Sequence, residues 1–129
     1  MEMDKEALGL LALRIGLGGV FVWFGVDKWV HPIFWINWIP KAVLSLLPVT
    51  QTLFIHGLGT GESVIGLLIL SGLWTKPAAG LAAVNLFGIL FSVGFNDIMI
   101  RDAGLLCLSA AICLLGPGPW SLDTSRTAR

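Results

Sequence analysis

Charge is what this sequence has least of. Only 16 of its 129 residues are charged, eight of each sign, where a soluble domain carries about a quarter. So few charges cannot cover the surface of a small water-soluble domain. The balanced signs leave no basic footprint for nucleic acid. There are two cysteines, Cys107 and Cys113, and both fall on one helical segment. Six residues separate them by about 9 Å along a helix and about 120° in direction, so they cannot bridge each other. No Cys-x-x-Cys is present, which argues against a thiol–disulfide enzyme. The only histidines, His31 and His56, have no metal-ligand spacing around them, so no metal site and no tightly bound cofactor are expected. Nucleophile motifs and phosphate loops are missing too. These absences exclude a soluble enzyme, a disordered chain and a nucleic-acid binder.

What is present is apolar: 56% of the chain by side chain, with sixteen glycines besides. The fold class is therefore all-α, a polytopic membrane protein. A span needs about 20 apolar residues, so four fit and leave no room for a separate extramembrane domain. The residues 1–129 are read as one transmembrane domain with helices at about 7–26, 53–74, 77–96 and 98–115. The leader Met1–Glu6 is acidic and no small-x-small cleavage site follows, so the first helix is expected to be retained. Trp29 to Gln51 carries three tryptophans and three prolines; too broken to span, it suits the membrane interface, with a short helix near Lys41–Leu47. The other two connections are tight, which makes neighbouring helices antiparallel. Lys5, Lys76, Arg126 and Arg129 fall on one side, against Lys28, Lys41 and Arg101 on the other. That count sets both ends in the cytoplasm of a multi-pass cell-membrane protein. Gly66–Ser71 and Gly104–Ser109 are alike enough to suggest duplicated hairpins. The glycines of Gly16-Leu-Gly18-Gly19 and Gly57-Leu-Gly59-Thr-Gly61 are expected to serve helix packing.

In such a chain the ionisable residues inside spans carry the information, because each costs about 2.5–3.5 kcal/mol at a helix centre. Counting residues from the apolar boundaries puts Arg14 roughly 10 Å and Glu62 about 16 Å from the inner face of a 30 Å core. An Arg14–Glu62 pair follows, with Asn85 as a polar neighbour. The alternatives are that Arg14 snorkels to headgroups and that Glu62 is a protonated carboxyl bonded to backbone. A second cluster joins Asp27 and Lys28 at the end of the first helix to Asp97, Arg101 and Asp102 at the start of the fourth. It reads either as a structural latch or as part of a polar pocket opening outward, with Trp23 and Phe24 lining the cavity.

Arg14, the Phe24-Gly25-Val26-Asp27-Lys28 exit, Glu62, the Gly72-Leu73-Trp74-Thr75-Lys76 connection, Arg101-Asp102 and the closing Trp120-Ser121-Leu122-Asp123 together resemble the DoxX/DoxD-like family of small four-helix membrane proteins. The resemblance covers about residues 8 to 122. It implies a four-helix bundle and, in some members, membrane subunits that pass electrons to quinone, as in thiosulfate oxidation; others are partners in redox-stress complexes or assembly factors. The leading expectation is a redox-associated membrane subunit binding a hydrophobic ligand such as a quinone, in contact with the lipid bilayer and with a soluble or membrane redox partner. A non-catalytic assembly protein and a small proton-linked transporter are the alternatives, the latter needing a homo-oligomer to build a path.

Overall fold

The computed structural model describes residues 4–127, all of whose regular elements are helical; Arg129 and the first three residues of the acidic leader lie outside the described residues. Four helices are long and apolar enough to cross a membrane: α1 (Lys5–Val30), α4 (Gln51–Ser71), α5 (Thr75–Val93) and α6 (Asp97–Leu115). Two short helices, α2 (Pro32–Ile36) and α3 (Lys41–Leu46), occupy the long connection, and α7 (Leu122–Thr127) follows the last span. The expected interfacial helix is α3, ending one residue earlier than expected; α2 is an addition.

Helix boundaries follow local chemistry. Asp4, Thr50 and Asn96 each accept a backbone N–H of the first turn of α1, α4 and α6, which satisfies donors that have no helical partner. α1 runs four residues beyond the expected Val26, and its last turn holds Lys28 and the partly buried Asp27. α4 stops at Ser71, short of the expected Trp74, because Gly72 takes a left-handed conformation (φ 71°) that terminates a helix.

The spans pack as two antiparallel hairpins. α1 packs most extensively on α4 and α5 on α6, while the α4–α5 and α1–α6 seams are thinner. Glycines set the first hairpin. A Cβ on Gly25 would lie 2.6 Å from the Gly59 carbonyl oxygen, and one on Gly59 would lie 2.6 Å from that of Gly25. Two turns lower, Gly18 and Gly66 meet in the same way, at 2.9 and 2.7 Å. Real Cβ atoms do not approach a carbonyl that closely, so only glycine permits this backbone contact. Gly16, Gly19, Gly57 and Gly61 have nothing within 4 Å of a built Cβ, so only Gly18 and Gly59 of the two glycine-rich motifs serve that packing. The two similar hexapeptides also differ in role: Gly66 touches α1, whereas Gly104 touches nothing.

Between the hairpins lies one apolar cluster in which Leu17, Phe21 and Ile69 meet Ala78, Ala79, Ala82 and Leu86 of α5 and Ile112 of α6. In lipid such packing rests on van der Waals contact and close approach, since hydrocarbon outside is as apolar as the core. Gly25→Ala or Gly59→Ala must therefore force α1 and α4 apart, at about 1–3 kcal/mol. The expected outcome is a fall of several degrees in the thermal midpoint of the detergent-purified protein. Gly16→Ala, with open space for its methyl, leaves the midpoint unchanged or slightly raised.

Candidate functional site

The register of the first hairpin distributes the buried charges. With Gly18 beside Gly66, Arg14 stands level with the C-terminal end of α4, on the same side as the chain termini and called the inner end below, and not with Glu62. The expected Arg14–Glu62 pair is not formed. Arg14 is buried, and its guanidinium donates instead to four backbone carbonyls: Nε to Ile69 at 3.0 Å, Nη2 to Leu70 at 2.8 Å, Nη1 to Pro117 at 3.1 Å and to Trp120 at 2.7 Å. The reason is axial distance. Glu62 lies eight residues before Leu70, about 12 Å up the helix, whereas the carbonyls of the last turn of α4 are within reach and sit at the negative end of its dipole. The fixed fork of a guanidinium suits such an arrangement of acceptors. Gly72 is required beside it as well, because a Cβ there would lie 2.6 Å from Nη2.

Asp123 completes this inner latch. Its Oδ1 accepts from the Trp74 N–H and its Oδ2 from the Thr75 N–H, both at 2.8 Å, while its own N–H donates to the Gly72 carbonyl. It thereby caps α5, whose N-cap residue Trp74 makes no side-chain cap.

Glu62 falls between the two glycine contacts along α4, Gly59 and Gly66. Its Oε2 accepts from Lys28 Nζ at 2.6 Å and its Oε1 from Asn85 Nδ2 at 3.0 Å. Both side chains of the ion pair are 7% exposed. Lys28 reaches inward along α1 because side chains lean toward the N-terminus of their helix. Its ammonium also lies 3.9 Å from the centre of the Trp35 ring, a favourable contact for a desolvated cation.

A second pair faces it from α6. Arg101 Nε donates to Asp102 Oδ1 at 2.7 Å, and the guanidinium carbon lies 4.4 Å above the Phe24 ring. Asp102 is 1% exposed and its Oδ2 has no hydrogen-bond partner. Between the two pairs lies a cavity of about 380 Å³ that takes walls from all four spans and from the interfacial segment. Phe24, Trp35, Trp38 and Leu105 form apolar faces, and Lys28, Glu62, Asn85, Arg101 and Asp102 supply the polar ones. Phe24 and Trp35 pack edge to face at 5.4 Å.

The expected outer cluster thus divides. Lys28 does not pair with the acids of α6; it turns to Glu62, which is nearer on the adjoining helix. Asp27 accepts from Trp35 Nε1 at 2.8 Å and contacts His31 Nδ1 at 2.9 Å, so it anchors α2 and is not among the cavity's lining residues. Asp97 is exposed in the first turn of α6. Trp23 is 71% exposed and is not among the cavity's lining residues. Arg14 is also remote from the cavity. Trp35 and Trp38 were expected only at the headgroup level; their place in the wall had no signal beyond the aromatic composition of that segment. Among the described residues no three His, Cys, Asp or Glu side chains converge as a metal site would require.

A family model for DoxX matches residues 9–95. The chain belongs to the DoxX family. The match takes in the first three spans, and with them Lys28, Glu62 and Asn85 of this DoxX chain; Arg101 and Asp102 lie beyond it. No curated protein and no solved structure matches the chain. Membership and the four apolar helices together make it a multi-pass integral membrane protein in contact with the bilayer.

The latch has a pH signature. Burial pushes the Asp123 carboxyl up, but the backbone donors Thr75 and Trp74 outweigh it and hold the group below its ordinary value of 3.8. A carboxylate with a depressed folded-state pKa stabilises fully above its ordinary pKa and ceases to do so as pH falls through the lower folded value. Asp123→Ala is expected to lower the thermal midpoint at pH 7 by the equivalent of about 1 kcal/mol, as for a lost helix cap. As pH falls below 3.8 and through the lower folded-state value, the difference from the wild type should narrow, as scans across pH would record.

Proposed function

We propose that this DoxX protein is the membrane subunit of a redox-associated complex and that its outer cavity binds a neutral, flat, hydrophobic molecule of the quinone type. The observation that carries the reading is the cavity itself. Its volume of about 380 Å³ lies within the range of small-molecule sites, which are apolar with a few convergent polar groups. Lys28 Nζ and Asn85 Nδ2 are donors suited to a ring carbonyl, and the Glu62 carboxylate between them is a base that can take or return a proton. The Phe24, Trp35 and Trp38 rings offer faces to a planar ligand. Each cation has its own carboxylate, Lys28 with Glu62 and Arg101 with Asp102, so the site carries no net charge to attract an ion. Nothing in the reading needs a redox centre of the protein's own: electrons would come from a partner and leave on the ligand. The basic residues at the inner connections favour a cell-membrane orientation with the chain ends in the cytoplasm, which opens the cavity to the opposite side.

Binding of a short-chain 1,4-benzoquinone to the protein in phosphatidylcholine nanodiscs, read by quenching of tryptophan fluorescence, tests the proposal. Glu62→Gln is expected to weaken binding at least about tenfold, the order of one charge-assisted hydrogen bond. Because that variant leaves Lys28 buried without a carboxylate, Lys28→Met/Glu62→Leu supplies the second arm: the double variant regains thermal stability and still does not bind. Wild-type affinity in the double variant would reduce both charges to a structural role, as an assembly protein requires.

A further inference from the structure

A second hollow lies on the outside of the bundle, over the α4–α5 seam. It is a groove of about 360 Å³ bounded by Phe54, Leu58 and Ile65 with Gly57 and Gly61 along its length. Both glycines are exposed on the surface of a spanning helix, and a Cβ on either would meet nothing within 4 Å. Their lack of side chains therefore serves no helix contact, unlike Gly18, Gly25, Gly59 and Gly66. At the inner wall of the groove stand Glu62 and Asn85, which also line the cavity; Phe54 and Leu58 are shared as well. The groove and the cavity thus back onto one another across the Glu62–Asn85 hydrogen bond, which spans the thin seam between α4 and α5. A buried carboxylate, 5% exposed, is an unusual group to find directly behind two glycines on a lipid-facing helix, since charge at that depth is costly. Side chains at positions 57 and 61 would fill the groove over it; with glycine at both, the groove stays open as far as Glu62 and Asn85.

We propose that this groove is a lateral portal from the bilayer: the ligand carries a long hydrocarbon tail that lies over Gly57 and Gly61 while its ring occupies the cavity beyond Glu62 and Asn85. The inference rests on the reading that the cavity holds a ligand and adds what kind of ligand and by what route. A tail in the groove remains in contact with lipid and buries apolar surface against Phe54, Leu58 and Ile65. The ring then meets the donors of Lys28 and Asn85 without crossing the interfacial helices. A molecule without a tail has no use for the groove.

The test compares two probes in phosphatidylcholine nanodiscs, a 1,4-benzoquinone with a long isoprenoid tail and the same ring without one, with affinities corrected for partition into lipid. Gly57→Leu/Gly61→Leu fills the groove from positions with open space around them; Gly61→Leu alone carries the test should the double variant not fold. The wild type is expected to bind the tailed probe more tightly. In the filled variants that probe should weaken about tenfold, the worth of roughly two buried methylenes, with the tail-less probe within twofold of wild type. Unchanged affinity for both probes would overturn the portal and leave the cavity reading standing. Equal weakening of both would also overturn it, because the leucines would then have disturbed the ring site. Failure of the wild type to bind either probe overturns the cavity reading and the portal with it.

Discussion

The backbone contact between α1 and α4 governs the rest of the molecule. At Gly25–Gly59 and Gly18–Gly66 the two helices approach until carbonyl oxygens stand where side chains would otherwise be, and this fixes their axial register. A shift of one turn would move every charge by about 5 Å. In the register adopted, Arg14 arrives among the carbonyls of the last turn of α4 and Lys28 arrives within 2.6 Å of Glu62. Burying either cation elsewhere in the hydrocarbon would cost several kcal/mol. The glycines therefore set not only the packing but also which ionisable groups are satisfied by backbone and which are left to face a cavity.

That division sets the two ends of the bundle apart. At the inner end Arg14 and Asp123 are spent on backbone groups, tying the last segment to the turn between α4 and α5. At the outer end the ion pairs face open volume, and Asp102 keeps one buried oxygen with no partner. Such an oxygen in a low-dielectric site is a functional pointer when it borders a cavity.

Much of this was legible in the sequence, for identifiable reasons. Scarcity of charge and continuous apolar runs specify four spans, and the tryptophan- and proline-rich stretch specifies an interfacial segment, because both depend only on local composition. Glu62 and Asn85 stand out because a polar group in a span is rare, whatever the neighbouring helix does. The partner of Glu62 was not legible from counts of residues along each span. Those counts assume that α1 and α4 begin at equal membrane depth, whereas α1 extends to Val30 and the glycine contacts slide the helices to a different register. The signal that could have corrected it was present: Gly18 and Gly25, and Gly59 and Gly66, each repeat at seven residues, a spacing that keeps both members on one face. Pairing them antiparallel places Arg14 at Leu70. Trp35, by contrast, reaches the cavity through the turn made by Asp27 and α2, which no pattern in that segment announces.

The glycine contacts between α1 and α4 set Lys28, and not Arg14, against Glu62. A double-mutant cycle on the thermal midpoint of the protein in lipid reads that pairing directly. Lys28→Met and Glu62→Leu are expected to be strongly coupled, with the double variant more stable than either single one, whereas Arg14→Met and Glu62→Leu add independently. Additive effects at Lys28 and Glu62, or coupling between Arg14 and Glu62, would contradict it.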